Sequence, residues 1–117
     1  MSYQSGTHII ASLTTNATNL LNGFENFKTL VDDLITKYKL NNLGEVYHNF
    51  SPAGFTAVVC LSESHLSVHT WPETGKVNLD IYLSNYERTN DQTVAGIYEA
   101  MVKYFDAVVD QTQTIYR

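Results

Sequence analysis

Cysteine is almost absent from the sequence, since Cys60 is the only one among 117 residues. A single thiol excludes an intrachain disulfide, a thiolate zinc site and a CxxC redox motif. Chains without disulfides are typical of reducing compartments, and we expect this one in the cytoplasm. Cys60 falls in an almost continuous apolar segment, where a free thiol behaves as a small hydrophobic group. We therefore interpret it as an inert core residue.

Long apolar runs and clustered basic residues are also missing. No apolar run approaches the roughly 20 residues of a transmembrane helix, and residues 1–6 lack the charged and then apolar pattern of a secretory signal. The formal net charge is -5 and the lysines and arginines are scattered, so no stretch favours a phosphate backbone. We expect neither a membrane nor a nucleic acid as a partner.

What the sequence does contain is the pattern of one packed domain over residues 1–117. Hydrophobic residues make up 44% and charged residues 16%, which disfavours disorder. Apolar residues at helical spacing and at alternate positions predict two helices among several strands. Asn22 and Glu25 have the spacing of a capping pair for the first helix. The predicted order is strand 8–13, helix 24–38, strands 46–50, 55–61, 65–71 and 77–83, a helix from 89–91 to 105, and strand 107–116.

These elements predict an α/β protein of the α+β type, a two-layer sandwich with a mainly antiparallel sheet. Two helices suffice to cover one face of that sheet. The other face would carry an unusual set of side chains, including His65, Ser67, His69 and Trp71. Such a face meets solvent, a ligand or another subunit. We expect a ligand together with a second copy of the chain, with Trp71 in the interface.

The densest run of reactive side chains is Glu-Ser-His-Leu-Ser-Val-His-Thr-Trp-Pro-Glu at residues 63–73. It resembles the Glu-Ser-His-Leu-Ser-Ile-His-Thr-Trp-Pro-Glu signature of the pyruvoyl-dependent S-adenosylmethionine decarboxylases. A weaker likeness covers most of the chain, including Gly6-Thr7-His8, Phe50-Ser51-Pro52 with Gly54, and the strand that contains Asp80. The sequence is therefore identified as a relative of this family, of its short prokaryotic type.

The resemblance implies that the chain cuts itself between Glu63 and Ser64. The Ser64 hydroxyl would attack the Glu63 carbonyl and convert the peptide bond into an ester. Loss of the Ser64 Cα proton would then expel Glu63 as a carboxylate and leave a pyruvoyl group, so that no external cofactor and no metal are needed. That ketone forms a Schiff base with a substrate amine and accepts electrons from the breaking carboxylate bond, the role that pyridoxal phosphate has elsewhere.

The resemblance also assigns roles to other residues. His69 would help to remove the Cα proton, a task suited to a side chain that titrates near neutrality. Thr56 lies where the family usually has a serine that assists processing, and it keeps the hydroxyl. Phe50 matches an aromatic residue that stacks on adenine, and Glu73 matches the carboxylate that holds the ribose hydroxyls.

Two positions depart from the family pattern. Ser84 stands where a cysteine usually returns a proton to the substrate carbon, and a hydroxyl is a weaker acid than a thiol of pKa about 8.5. Ser12 stands where relatives commonly carry an acidic residue. Among the histidines outside the signature roles, His65 and His48 are interpreted as packing or solvent-bridging residues, whereas His8 is left open between a structural and a functional role.

Three functions follow as alternatives from the resemblance. The first is decarboxylation of S-adenosylmethionine, which supplies the aminopropyl donor for spermidine synthesis. The second keeps the pyruvoyl chemistry but acts on L-ornithine or L-arginine, as some relatives do. The third is an unprocessed homologue that serves as a binding or regulatory subunit. Short members of the family form homodimers, and the resemblance implies that this chain does so too, with its sites near the interface.

Overall fold

The structure is a computed structural model that describes residues 3–85 and 88–117. This part of the chain contains six strands and two helices, with four consecutive strands between the helices and a short 3₁₀ turn at Thr18–Leu21. The strands are β1 (Thr7–Thr15), β2 (Asn42–Asn49), β3 (Phe55–Leu61), β4 (Ser64–Trp71), β5 (Lys76–Leu83) and β6 (Ala107–Tyr116), and the helices are α1 (Glu25–Lys37) and α2 (Asp91–Tyr104). Neither helix is long and apolar enough to cross a lipid bilayer.

The strands form one antiparallel sheet in the order β2-β3-β4-β5-β1-β6. Both helices bury their apolar stripes with one side of the sheet in a single core. Phe27 of α1 anchors this core, because its ring lies 5.4 Å from that of Phe55 and 5.5 Å from that of Phe105. The predicted two-layer α+β architecture is therefore confirmed.

The start of α1 differs from the prediction. Asn22 does not cap the helix, which begins at Glu25 with Phe24 in the capping position. Asn49, at the end of β2, takes the capping role from a distance: its Oδ1 accepts the Phe24 N–H at 2.9 Å, and its Nδ2 donates to Glu25 at 2.6 Å. The prediction that Asn22 and Glu25 form a capping pair was wrong, because the tertiary contact with Asn49 supplies the capping hydrogen bonds.

The side of the sheet away from the helices is called the open face. It carries alternate residues of each strand, among them His8, Ile10 and Ser12 of β1, Thr56, Val58 and Cys60 of β3, His65, Ser67, His69 and Trp71 of β4, and Asn78, Asp80 and Tyr82 of β5. Successive side chains of a strand point to opposite faces. The alternation seen in β4 and β5 thus places their histidines and carboxylate together.

Cys60 corrects one expectation, because it is exposed on the open face and is not a core residue. Its strand is apolar at nearly every position, so the sequence alone does not show which alternate set turns inward. Phe55, Ala57, Val59 and Leu61 are the buried set. Val58 and Cys60 must then face outward.

Candidate active site

Ser64 lies at the tip of the hairpin between β3 and β4, where only Ser62 and Glu63 separate the strands. Its backbone φ is 149°, whereas neither of the two turn residues has a positive φ. A residue other than glycine in this region is strained by about 1–3 kcal/mol. The strained backbone of this turn is therefore at Ser64, on the C-terminal side of the Glu63–Ser64 peptide bond.

The carbonyl group of that peptide bond is held by the neighbouring strand. The backbone N–H of Ser84, just beyond β5, donates to the Glu63 carbonyl oxygen at 2.7 Å. Ser84 and Glu63 also line a cavity of about 760 Å³ beside the hairpin tip. A fixed N–H at this place polarises the carbonyl and would stabilise negative charge on its oxygen.

The side chain of Glu63 is clamped from the segment that precedes α2. Arg88 binds both carboxylate oxygens, with Nη2 at 2.7 Å from one and Nε at 3.2 Å from the other. Asn90 donates its Nδ2 to the same carboxylate and to the Ser84 carbonyl oxygen, the latter at 2.8 Å. The hydrogen bond from Arg88 lowers the pKa of the Glu63 carboxyl. These contacts fix both ends of Glu63 against β5 and α2.

A polar cluster extends from Ser64 across the open face. Ser64 Oγ lies 3.2 Å from His65 Nδ1, and His65 Nε2 lies 3.3 Å from Asp80 Oδ1. The buried His8 binds the same carboxylate oxygen through its Nε2 at 2.6 Å. On the far side, Arg117 Nη1 lies 3.4 Å from His8 Nδ1.

His8, His65 and Asp80 have donor atoms within 4.8 Å of one another, a spacing that could hold a metal ion. A metal-ligating histidine normally donates its other ring N–H to an acceptor. The neighbour of His8 Nδ1 is instead the guanidinium of Arg117, which only donates. The contacts are those of a hydrogen-bonded cluster rather than of a metal centre.

The remaining residues suggested by the family resemblance lie toward the other end of β4. Phe50, Thr56, His69 and Glu73 line a second cavity of about 380 Å³, together with Trp71. Thr56 Oγ1 is 2.5 Å from His69 Nδ1 across the β3–β4 pair. Phe50 is 50% exposed and presents an aromatic ring to this cavity. An exposed ring beside a carboxylate offers stacking and hydrogen-bond acceptance to a planar, hydroxyl-bearing ligand.

Within one chain the structure thus gathers the suggested residues into two groups. Glu63, Ser64 and Ser84 form the hairpin-tip group, and Phe50, Thr56, His69 and Glu73 form the cavity group. His69 follows Ser64 by five positions on the same strand, a separation of roughly 16 Å. The two groups therefore do not meet within a single copy.

Sequence reasoning missed several contacts of the hairpin tip. Arg88 and Asn90 precede or cap a helix and gave no local sign of binding Glu63, which is 25 and 27 positions away. Asp80 did leave a signal, since it is a carboxylate on the polar side of the alternating strand β5, where it pairs with Ser67 and contacts His65 diagonally. His65 had been interpreted as a packing or solvent-bridging residue, but it contacts the Ser64 hydroxyl.

Comparison with known proteins identifies relatives of this chain. The sequence profile described as S-adenosylmethionine decarboxylase matches residues 7–117. An S-adenosylmethionine decarboxylase proenzyme of Archaeoglobus fulgidus is 44% identical over 66% of this chain and 69% of its own length. One from Picrophilus torridus is 36% identical over 85% of this chain and 79% of its own.

A solved structure shares the fold. The crystal structure of the adenosylmethionine decarboxylase from Aquifex aeolicus superposes with a TM-score of 0.84 and 26% sequence identity, covering 99% of this chain and 92% of that one. The two-layer α+β fold places the chain in the class of small decarboxylases to which that structure belongs. More closely, the chain belongs to the S-adenosylmethionine decarboxylase family.

Proposed function

We propose that this chain is a self-processing, pyruvoyl-dependent decarboxylase that acts on S-adenosylmethionine. The observation that carries the proposal is the backbone of Ser64, which is strained at φ 149° beside a carbonyl group already held by the Ser84 N–H. Relatives of the chain are named proenzymes, which agrees with a protein that is cut before it acts.

The first step converts the peptide bond into an ester. Ser64 Oγ attacks the Glu63 carbonyl carbon, and the carbonyl oxygen that becomes negative accepts the Ser84 N–H. The bond from that carbon to the Ser64 nitrogen then breaks, and the nitrogen leaves as an amine. Once the peptide link is gone, φ of Ser64 is no longer imposed by the hairpin. Relief of the strain therefore favours the ester.

The second step separates the two chains. A base removes the Ser64 Cα proton, and the electrons of that bond form the dehydroalanine double bond as the ester oxygen leaves with the Glu63 acyl group. Arg88 and Asn90 hold the Glu63 side chain. The new main-chain carboxylate of Glu63 therefore forms on a residue that is already fixed in place. Water then replaces the nitrogen, releasing ammonia and leaving the pyruvoyl group at position 64. That group supplies an electron sink for the amine of an amino-acid substrate.

A second copy of the chain completes the site in this proposal. The hairpin-tip group and the cavity group lie roughly 16 Å apart along β4. If two open faces pack with their β4 strands running in opposite directions, the cavity group of one copy lies over the hairpin tip of the other. A two-fold arrangement of this kind forms two equivalent sites. The exposed apolar side chains of the open face, Ile10, Val46, Val58 and Trp71, favour such a homodimer.

The cavity group favours a nucleoside-bearing substrate. Phe50 would stack on the adenine ring, and Glu73 would accept hydrogen bonds from the ribose hydroxyls, while His69 and Thr56 would act on the reacting end. L-Ornithine and L-arginine need neither the stack nor the ribose carboxylate. One observation keeps these amino acids as a second candidate, namely Ser84, whose hydroxyl replaces the usual proton-donating thiol.

Denaturing mass spectrometry tests the proposal. The purified chain should appear as two pieces, residues 1–63 and a pyruvoyl-blocked piece of residues 64–117, and Ser64→Ala should remain one piece. Carbon dioxide release should then be measured with S-adenosylmethionine, L-ornithine and L-arginine. Turnover of an amino acid alone would move the substrate to the second candidate. An intact wild-type chain after long incubation would support a non-catalytic homologue instead.

A further inference from the structure

The cluster beside Ser64 has the connectivity of a nucleophile, a base and an orienting carboxylate. The Ser64 hydroxyl contacts His65 Nδ1 at 3.2 Å, and the opposite ring nitrogen of His65 contacts Asp80 at 3.3 Å. His8 fixes Asp80 from the other side at 2.6 Å. A serine beside a histidine that is itself oriented by a third group is the usual arrangement for activating a hydroxyl.

The hydrogen-bond partners decide which ring nitrogens carry protons. An ionised carboxylate only accepts, so the nitrogens of His8 and His65 that face Asp80 are both N–H donors. Arg117 faces His8 Nδ1 as a donor, which leaves that atom as an acceptor. By the same reasoning, neutral His65 has its lone pair on Nδ1. That lone pair is directed at the Ser64 hydroxyl.

We propose that His65 is the general base that deprotonates Ser64 Oγ in the first step of self-cleavage, with Asp80 and His8 as positioning residues. This rests on the proposed self-processing. The proton of Ser64 Oγ moves to His65 Nδ1 as the bond from Oγ to the Glu63 carbonyl carbon forms. His65 then gives this proton to the Ser64 nitrogen as the bond between carbon and nitrogen breaks. The exchange is balanced and needs no other reactant.

The two histidines of the signature therefore have separate tasks. His69 lies roughly 16 Å from Ser64 in the same chain and is engaged by Thr56, so it reaches Ser64 only from a second copy. His65 reaches the hydroxyl within its own chain. The ester can accordingly form before any dimer exists, whereas chain separation requires the second copy.

Neutral hydroxylamine distinguishes the two steps, because it cleaves an ester at Ser64 far faster than an ordinary peptide bond. Cleavage is scored at position 64, because the bond between Asn22 and Gly23 is itself sensitive to this reagent. His65→Ala should slow chain separation by about 100-fold or more, the usual contribution of a general base, and hydroxylamine should not cut it at position 64. His69→Ala should also stay uncut, but hydroxylamine should cut it at position 64. Added imidazole should restore separation in His65→Ala.

Two further variants guard against a purely structural effect. His65→Gln keeps a side chain that can donate to Asp80 but cannot act as a base, and it should fail as His65→Ala does. Its melting temperature should match that of the equally uncut Ser64→Ala chain. Asp80→Asn should slow the same first step, again with no ester trapped.

The outcomes separate the two proposals. If the wild type separates and His65→Gln separates at the same rate, or if His65→Ala accumulates a hydroxylamine-sensitive ester, His65 is not the base of the first step. If the wild type neither separates nor is cut at position 64 by hydroxylamine, self-processing itself is wrong, and the role of His65 is wrong with it.

Discussion

The backbone N–H of Ser84 donates a hydrogen bond of 2.7 Å to the carbonyl oxygen of Glu63. This contact comes from the main chain, so it does not depend on which side chain occupies position 84. A serine can therefore replace the cysteine of the family pattern there without removing the donor to the Glu63 carbonyl, the group attacked in the proposed cleavage. In the proposed mechanism, the replacement changes only the later step in which the side chain would return a proton to the substrate.

Ser84→Cys and Ser84→Ala test this separation of roles. Both variants should cleave at the wild-type rate, because both keep the backbone N–H. Decarboxylation of S-adenosylmethionine should rise in Ser84→Cys, since a thiol of pKa about 8.5 is a far stronger acid than a hydroxyl. Cleavage is followed by mass spectrometry and decarboxylation by carbon dioxide release. A loss of cleavage in Ser84→Ala would show that the hydroxyl takes part in processing.

Arg88→Ala should slow self-cleavage, because it releases the carboxylate of the residue whose carbonyl is attacked. Charge-assisted forked contacts with arginine give geometric specificity that lysine cannot reproduce, so Arg88→Lys should restore only part of the rate. We expect a loss of about tenfold, corresponding to one ordinary hydrogen bond. Lys103→Ala, which removes an exposed cation elsewhere on α2, is the control and should cleave normally.

The same clamp should make stability depend on acidity. Arg88 lowers the pKa of the Glu63 carboxyl in the folded chain. The pair of Arg88 with the ionised carboxylate therefore contributes fully to stability above the unfolded-state pKa of glutamate, about 4.3. That contribution is lost as the pH falls through the lower folded-state value. In the uncleavable Ser64→Ala background, the melting temperature should fall over this window less steeply when Arg88→Ala is added. Equal slopes in the two proteins would contradict the clamp.

Mixing two inactive variants tests whether two copies share a site. Ser64→Ala keeps the cavity group, and His69→Ala keeps the hairpin tip, so a mixed dimer contains one complete processing site. The His69→Ala chain should then separate in the mixture, although neither variant separates alone. Mass spectrometry identifies which chain is cut. Mixed dimers that form but stay uncut would contradict a site built from both copies.

Phe50→Ala should weaken the use of S-adenosylmethionine through loss of stacking. Aromatic stacking on a nucleobase contributes about 1–3 kcal/mol, so we expect KM to rise by roughly tenfold or more while cleavage is unchanged. Phe50→Tyr retains the ring and should behave like the wild type. If L-ornithine or L-arginine is the substrate, Phe50→Ala should leave its KM unaffected.

Much of the fold could be predicted from local pattern. Alternation in Val77, Leu79, Ile81 and Leu83 correctly indicated a strand with one buried face, and the apolar stripe led by Phe27 correctly indicated a helix. Around Cys60 the segment is apolar at nearly every position, so the pattern does not show which side chains face the core. The prediction that Cys60 is a core residue was therefore wrong. The family could also be identified from the sequence, because the signature at residues 63–73 is contiguous.

The amino-acid sequence by itself determined the elements, the family and the run of residues that carries the serine. Only the tertiary structure decided that Ser64 is strained, that Arg88 and Asn90 hold Glu63, that His65 faces Asp80, and that His69 lies far from Ser64 in its own chain. Periodicity and motifs depend only on residues that are close together in the sequence. Contacts across many positions arise only when the sheet aligns its strands, and no local pattern records that alignment.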